Sequence, residues 1–292
     1  MTTGEPQVGR TLRIIHLFPD LLSTYGDGGN IRTLVARAER RAIRVSVVRV
    51  LADSPTVPVG DLFVIGGGQD RDQIRVEAAL LRLGGALEAR ISDGAALLAI
   101  CGGYQNLGRR YRFSNGRTVH GPGIFPLATT ASIDRLIGPV VARMTPEVAA
   151  TIGAGSVPHR TTVVGFENHS GRSYLDDGAD PLAIVEVGSG NNGADSTEGL
   201  LAPAQGASGD GLRIGTYLHG PLLPRNPHIA DALIGAGLAR TRQPRDLDPL
   251  DDRDDWRAHD LFLAHSRRRS WVKRLPPSVQ RVIGPAREAI ES

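Results

Sequence analysis

The one cysteine of the chain, Cys101, stands between an apolar run and two glycines. The run "AALLAI" (95–100) has the length and composition of a buried strand, and Gly102 and Gly103 lead from it into "YQNLGRRY". This order predicts a strand, a tight turn and a helix, which is the geometry of a nucleophile elbow. A helix N-terminus would favour the thiolate, the form of cysteine that attacks carbonyl carbon. A buried structural cysteine is the alternative, but a core position needs no pair of glycines behind it.

A cysteine nucleophile needs a general base, and the chain has eight histidines. His219 follows the strand-like segment "LRIGTYL" (212–218), which predicts a position at the carboxyl end of a strand. Ligands of open α/β sheets bind at those strand ends, where Cys101 is also expected. His169, within "FENHSG", is the rival base. The histidines are too scattered to show the spacing of metal ligands.

Three glycines end another predicted strand, in "VIGGGQD" (64–70). A main-chain N–H of Gly67 or Gly68 would join the N–H of Gly102 in an oxyanion hole, which stabilises the negative oxygen of an acyl-transfer intermediate. A plain turn or a phosphate-binding loop is the alternative. The phosphate reading is weak, because three successive glycines do not make the G-x-G-x-x-G pattern.

The elements that must position these residues alternate in type. Apolar strand-like segments alternate with segments whose apolar residues recur at helical spacing, as at Ile31, Leu34, Val35, Ala38 and Ala42. The sequence therefore predicts an α/β fold with a mostly parallel sheet, covered by helices on both faces. The predicted strands of this part are 12–18, 43–50, 61–65 and 95–100.

Beyond about residue 117, short β-like pieces separated by Gly, Pro and Asn predict added, partly antiparallel strands in the same domain. The stretch 188–211 is rich in Gly, Ser and Ala and is interpreted as a mobile loop. We predict one domain over residues 10–240 and a charged C-terminal extension over 241–292. In the extension an acidic block precedes a basic one.

Composition limits the function further. The net charge is only +3, so nucleic acid is not the expected partner. Lys273 is the one lysine and no GxxxxGK[ST] loop occurs, so ATP used by that route must bind another polypeptide. No apolar run reaches the length of a transmembrane span and no signal peptide is visible. With one cysteine and no internal disulfide, these features predict a cytoplasmic protein.

Five motifs in order, over about residues 10–240, resemble those of the class I glutamine amidotransferases in their cobyric-acid-synthase-like branch, CobB/CobQ-like. Within it they are most similar to the glutaminase subunits of lipid II isoglutaminyl synthases. The resemblance implies a flavodoxin-like α/β fold with the cysteine at the end of a central strand. The motifs are "YGDGGNI" (25–31), "GGGQDRDQ" (66–73), "DRLIG" (134–138), "GFENHSGRSYL" (165–175) and "GTYLHGPLLPRNP" (215–227).

The resemblance also implies roles for individual residues. Cys101 would attack the side-chain amide of glutamine, and His219 would pass a proton to the leaving ammonia before water hydrolyses the thioester. The family pattern further implies an oxyanion hole and a substrate-binding pair, with an arginine on the α-carboxylate of glutamine. The residues that match are Gly67 and Gly102 for the oxyanion, and Gln105 and Arg135 for the substrate.

Two positions depart from the family pattern. Ala99 replaces a glycine two residues before the cysteine, a small change. Pro221 occupies the position, two residues after the histidine, where many members carry the glutamate that orients it. Either His219 and Cys101 work as a dyad, or another carboxylate such as Glu167 supplies the orientation.

A glutaminase subunit normally passes ammonia directly to a synthetase. The resemblance implies no cofactor in this chain, and it implies ATP and Mg²⁺ on a MurT-like Mur ligase partner. That partner would amidate the second-residue glutamate of the lipid II stem peptide to isoglutamine. The alternatives are a glutaminase for another amidation, such as the cobyric-acid type, and a non-catalytic scaffold subunit.

The extension over 241–292 lies outside the resemblance. We expect a solvated, partly helical appendage there. In the alternative, the basic segment "HSRRRSWVKRLPP" (265–277) touches anionic lipid and holds the protein near the inner face of the membrane.

Overall fold

The computed structural model describes residues 9–23, 26–68, 70–154, 158–203 and 211–273. The strands and helices of these residues follow the alternation that the apolar pattern predicts. The strands are β1 (Thr11–Leu17), β2 (Arg44–Val50), β3 (Leu62–Ile65), β4 (Ala96–Ile100), β5 (Arg110–Arg112), β6 (Thr118–His120), β7 (Leu127–Arg143), β8 (Thr162–Leu175), β9 (Ala183–Val187), β10 (Thr197–Glu198), β11 (Leu200–Pro203) and β12 (Leu212–Thr216). The helices are α1 (Gly28–Glu39), α2 (Asp70–Ser92), α3 (Gly102–Asn106), α4 (Pro146–Ile152), α5 (Pro227–Arg240) and α6 (Arg253–Lys273).

One sheet has the order β11-β12-β4-β3-β1-β2 and carries the candidate site. Its neighbouring strands are parallel except for β11, which runs antiparallel to β12. The side chains of β3 and β4 are buried on both faces, which is why these strands are continuous apolar runs. The predicted α/β class with a mostly parallel sheet is confirmed.

Helices cover this sheet as their sequence periodicity predicts. On α1, Ile31, Leu34 and Ala38 are buried, whereas Ala42 lies beyond the helix end with a φ of 54°. Helix α5 is buried along most of its length and contacts β1, β3, β4, β12 and α1. Its apolar residues lie on all sides because it is enclosed between these elements.

Most of the added strands form a second sheet, whereas β11 and β12 extend the first. The order of the second sheet is β10-β9-β7-β5-β6, with β8 paired along β7. The long antiparallel pair β7–β8 runs from Leu127–Leu175 to Arg143–Thr162 with a register shift between Ala131 and Leu136. The prediction of partly antiparallel strands is confirmed. Strand β8 reaches the first sheet where Phe166 pairs with His219 through main-chain hydrogen bonds.

The segment interpreted as a mobile loop is largely built structure. Residues 188–203 include β10 and β11, and the part over 204–210 lies outside the described residues. The glycines serve backbone geometry, since Gly190 has a φ of 66° and Gly199 a φ of 61°. The Asn191 side chain binds both the N–H and the C=O of Gly199 at 2.9 Å. The mobile-loop interpretation is wrong for 188–203, because composition does not distinguish flexibility from turns that require positive φ.

The described part of the C-terminal extension packs on the domain. His259 of α6 is fully buried, and its ring hydrogen-bonds Thr162 Oγ1 at 2.8 Å and the main-chain oxygen of Arg225 at 2.7 Å. Asp252 of the acidic block binds the buried Arg37 of α1. The extension is helical there as expected, and most of its described side chains are exposed, but a few buried contacts fix it on the domain. The basic segment falls partly outside the described residues, which end at 273.

Among the residues that the structure describes, no helix has both the length and the apolar character needed to cross a bilayer.

Candidate active site

Four neighbouring parallel strands end at one place. In the order β12-β4-β3-β1, they are followed by His219, Cys101, the glycines 66–68 and Asp27. Parallel strands present their carboxyl ends at the same edge of a sheet, so residues separated by up to almost two hundred positions meet there. The structure thus brings Cys101 and His219 to the same sheet edge, as the sequence predicts.

Cys101 occupies a strained bend. Its φ of 47° and ψ of −104° are rare for a residue with a side chain, and its N–H is held by the main-chain oxygen of Thr216 at 2.8 Å. A Cβ at Gly103 would lie 2.8 Å from the Ile65 side chain and 2.9 Å from the Gly66 oxygen, so no other residue fits there. This is the predicted elbow, although α3 has only five residues. The thiol-bearing residue is 6% exposed.

His219 lies against Cys101 across Gly67. A Cβ at Gly67 would stand 2.7 Å from the imidazole Cε1 of His219 and 3.2 Å from Cys101 Cβ. The Cys101 side chain interacts electrostatically with the His219 imidazole, and the main-chain N–H of His219 donates to the Phe166 oxygen at 2.9 Å. The imidazole is buried, with 2% of the residue exposed. Gly67 is therefore the residue that lets base and nucleophile approach each other.

Asp27 is the carboxylate that holds His219. Its Oδ1 lies 3.6 Å from His219 Nδ1, and its Oδ2 accepts the Gly67 N–H at 2.7 Å. The residue is 1% exposed. Asp27 is not among the residues that the sequence motifs predict for the site. The available signal was an acidic residue directly before two glycines and a helix-like segment, after the first predicted strand.

The turn that lacks the usual glutamate also brings Asp27 into place. Pro221 packs on Gly29, where a Cβ would lie 2.5 Å from Pro221 Cγ. The loop after β1 therefore sits directly on the Gly220–Pro221 turn. Asp27, which comes from this loop, therefore takes the place of a carboxylate close to His219 in sequence.

Glu167, the carboxylate that the sequence suggested, does not orient His219. It accepts the N–H groups of Ser189 and Gly190 at 2.9 and 2.8 Å. Its Oε2 lies 3.8 Å from Nε2 of His169, the rival base. Burial lowers the pKa of His169, whose ring Nδ1 is 2.8 Å from the Gly171 oxygen. Through these contacts Glu167 holds the main chain after β9 and lies beside His169, and not beside the imidazole of His219.

The charge of His219 is set by its two anionic neighbours. Burial lowers the pKa of His219, but the Cys101 sulfur and the Asp27 carboxylate outweigh burial and raise it to about 10. The arrangement therefore favours the charged, imidazolium form of His219. An imidazolium next to the nucleophile can deliver a proton to a leaving amine.

The oxyanion donors differ in part from the predicted pair. The Gly67 N–H is engaged by Asp27, so it does not point to a free position beside the sulfur. The nitrogen of Gly68 lies 3.2 Å from the place where a Cβ of Gly102 would stand. Gly68 and Gly102 therefore lie next to each other, and Gly67 is the spacer between Cys101 and His219. The oxyanion role of Gly67 and Gly102 stays a prediction, and the bond from Gly67 to Asp27 favours the N–H of Gly68 as the alternative that the sequence also offers.

The two predicted substrate-binding residues lie in different surroundings. Gln105 is 4% exposed, one turn after Cys101, and its Nε2 donates to Tyr217 Oη at 3.0 Å. Arg135 is exposed at the irregular part of β7, and its Nε and Nη2 donate to Asn168 Oδ1 at 3.1 and 2.7 Å. Its hydrogen bonds join Arg135 to β8 and not to Cys101, His219 or Asp27.

A thiol on a strained elbow beside a buried imidazole is the arrangement that a cysteine nucleophile and its base require. Residues 13–227 match the model of the CobB/CobQ-like glutamine amidotransferase domain, and the chain belongs to this family.

Two similar proteins extend over most of the chain. The GatD subunit of lipid II isoglutaminyl synthase (glutamine-hydrolyzing) from Staphylococcus aureus (strain N315) is 36% identical, over 88% of this chain and 97% of that protein. The same subunit from Streptococcus pneumoniae (strain ATCC BAA-255 / R6) is 33% identical, over 78% of this chain and 81% of that protein. Cobyric acid synthase from Methylobacterium nodulans (strain LMG 21967 / CNCM I-2342 / ORS 2060) is 31% identical, over 60% of this chain and 32% of that protein.

Proposed function

We propose that this chain is the glutaminase subunit of a lipid II isoglutaminyl synthase and supplies the ammonia for amidation of the lipid II stem peptide. The observation that carries the proposal is the contact of Cys101 with the buried His219–Asp27 pair at one sheet edge. Similarity to two GatD subunits over most of the chain selects the lipid II branch, since the match to cobyric acid synthase covers only a third of that protein.

The reaction begins at the sulfur. The Cys101 thiolate attacks the side-chain carbonyl carbon of glutamine, and the carbonyl oxygen becomes an oxyanion that the N–H groups of Gly68 and Gly102 stabilise. The tetrahedral intermediate collapses, the C–N bond breaks and the His219 imidazolium gives its proton to the leaving nitrogen. Ammonia and a glutamyl thioester result.

Water completes the cycle. Neutral His219 takes a proton from water as the water oxygen attacks the thioester carbonyl, and the C–S bond breaks to release glutamate and the thiolate. Asp27 holds the imidazole in one orientation through both steps and stabilises its charged form. We assign the α-carboxylate of glutamine to Arg135, whose guanidinium can grip it in bidentate fashion, and an amide contact to Gln105.

Ammonia must then leave for a second active site. Ammonium is not a nucleophile, so useful ammonia has to reach the acceptor without equilibrating with water. We propose a MurT-like Mur ligase partner, which binds ATP and Mg²⁺, activates the second-residue glutamate of the stem peptide and accepts the ammonia to form isoglutamine. We place the complex in the cytoplasm. The single cysteine supports the cytoplasmic location, and the lack of a Walker A loop in the sequence supports a partner that binds ATP.

The direct test measures ammonia released from glutamine by the wild type and by Cys101→Ala. Release should be weak for the isolated chain and absent for the variant. Retained release in Cys101→Ala would exclude the proposed nucleophile.

Reconstitution with the partner tests the acceptor. With glutamine, ATP and Mg²⁺, the wild-type complex should amidate lipid II, while the Cys101→Ala complex should do so only when ammonium chloride replaces glutamine at alkaline pH. A co-purified partner that amidates cobyrinate and not lipid II would contradict the cell-wall assignment. Amidation with glutamine by the Cys101→Ala complex would show a scaffold role.

A further inference from the structure

One buried carboxylate joins the second sheet to the catalytic edge of the first. Glu198 of β10 is fully buried, and its Oε1 accepts the Thr216 hydroxyl at 2.5 Å and the Tyr217 N–H at 3.0 Å. Thr216 is the last residue of β12, three positions before His219. The carboxylate thus reaches from one sheet to the strand end that carries the candidate base.

Thr216 is linked to the nucleophile and to the segment before the base. Its main-chain oxygen accepts the Cys101 N–H at 2.8 Å, and its hydroxyl oxygen accepts the Leu218 N–H at 3.1 Å. A hydroxyl has one proton, and here Glu198 takes it, so the lone pairs are turned towards Leu218. Removing the carboxylate would free this hydroxyl to rotate. Glu198 therefore fixes the main-chain segment that sets the distance between Cys101 and His219.

The segment around Glu198 is built to hold it there. Asn191, fully buried, clamps the main chain of Gly199 on both sides. A Cβ at Gly199 would lie 2.5 Å from the Gly215 oxygen, so only glycine allows β10 and β11 to approach β12 this closely. The close packing around the buried Glu198 carboxylate implies that its position is important.

The surroundings of Glu198 bring its pKa close to neutral pH. Burial raises the pKa of Glu198 to about 7, against the hydrogen bonds from Thr216 and Tyr217. The Glu167 carboxylate raises the pKa further and the His219 imidazolium lowers it. Tyr104, also buried, faces the same charge. A negative Glu198 therefore favours the charged form of His219 at a distance.

We propose that Glu198 is a positioning residue for glutamine hydrolysis, which acts through Thr216 and Tyr217 on the geometry of Cys101 and His219. This inference rests on the proposed glutaminase function. It assigns work to a segment whose composition suggested only a mobile loop. A carboxylate with a purely structural role would alter the stability of the protein but not the turnover of the folded enzyme.

The test compares Glu198→Gln, Thr216→Val, Thr216→Ser and the double variant Glu198→Gln/Thr216→Val. The readouts are kcat and KM for glutamine and the rate of alkylation of the thiol by iodoacetamide, which is specific because Cys101 is the one cysteine of the chain. Glu198→Gln should lower kcat about tenfold to a hundredfold, with KM changed by less than about threefold, because small misplacements of reacting groups are costly. Alkylation should slow in parallel.

The threonine variants locate the path. Thr216→Val should behave like Glu198→Gln, while Thr216→Ser, which keeps the hydroxyl, should stay near the wild type. The double variant should be no slower than the slower single variant, because both changes break the same link. Additive losses in the double variant would overturn the proposed path.

Asp195→Asn is the matched control on the same segment. Asp195 accepts the Thr197 N–H at 2.9 Å and its hydroxyl at 2.7 Å, without contact to Thr216, so its loss should leave kcat near the wild-type value. Unchanged kcat and alkylation in Glu198→Gln would refute the proposal. If Glu198→Gln does not fold, the contrast between Thr216→Val and Thr216→Ser decides alone. Failure of the wild type to release ammonia would instead refute the glutaminase function, and alkylation would still report the link to Cys101.

Discussion

Two buried histidines of this protein have opposite tendencies to carry charge. His219, at the catalytic edge, and His228, at the start of α5, are 2% and 8% exposed. Anionic neighbours raise the pKa of His219 to about 10 against the effect of burial. Burial lowers the pKa of His228 to about 3, and nearby positive groups, His259, Arg160 and Arg37, add to that effect.

Burial alone therefore does not decide whether a histidine carries charge. His228 stacks on Trp256 of α6 at 5.3 Å between ring centroids and serves as neutral packing between two helices. His219 sits between a thiol and a carboxylate, where a proton can be exchanged. Burial lowers the pKa of both histidines, and the charges nearby determine the direction of the net shift.

Removing the imidazole at the catalytic edge should have the largest effect. His219→Asn should reduce glutamine hydrolysis by about a thousandfold or more, because neither proton transfer has another carrier. Steady-state ammonia release from the isolated chain measures it. His169→Asn is the matched control, since His169 is also buried and lies within β8. A larger loss from His169→Asn than from His219→Asn would reverse the assignment of the base.

Removing the charge of Asp27, which raises the pKa of His219, should have the second-largest effect. In Asp27→Asn the Gly67 N–H keeps an acceptor, but the imidazolium loses its anionic neighbour. We expect a loss in kcat of about tenfold to a hundredfold, the range for a hydrogen bond to a charged group. Alkylation of Cys101 at neutral pH should slow as well. Asp20→Asn, an exposed acid near β2, should change neither, and a wild-type rate in Asp27→Asn would leave Cys101 and His219 as a dyad.

His228 should affect how the stability of the protein depends on pH. The folded-state pKa of His228, about 3, lies below its ordinary value of 6.5, so the unfolded chain binds the proton first. Its contribution is complete above pH 6.5 and is lost as the pH falls towards 3. His228→Phe should remove about 2 kcal/mol of this acid destabilisation at pH 5. Urea unfolding at pH 7 and pH 5 measures the change, and the exposed His265→Gln should retain the full wild-type loss.

An exposed ion pair between α6 and β9 should contribute least to the stability of the protein. Arg267 of α6 pairs with Glu186 of β9, with 44% of the arginine side chain and 29% of the glutamate side chain exposed. Arg267→Gln should lower the free energy of unfolding by less than about 0.5 kcal/mol. Thermal unfolding of the variant against His259→Leu checks this, because His259 is buried and hydrogen-bonded. Equal destabilisation by the two would contradict the view that buried contacts hold α6.

Much of the fold follows from local patterns. The apolar runs at 61–65 and 95–100 and the helical spacing from Ile31 to Ala38 are found where the structure has β3, β4 and α1. The elbow at Cys101 was predictable for the same reason, because a strand, two glycines and a short helix are adjacent in sequence. The 188–203 segment was not, because glycines that adopt positive φ and glycines that confer flexibility look alike in composition.

Local sequence was sufficient to predict the elbow at Cys101, the strand-end position of His219 and the order of strands and helices, since each depends on neighbours within a few residues. The position of Asp27 beside His219, of Gly68 beside Gly102 and of Glu198 beside Thr216 became evident only from the folded chain. These partners are close in space because parallel strands end at one edge and because loops pack on one another. Side-chain distances of 3 to 4 Å between residues far apart in the chain leave no periodic trace in the sequence.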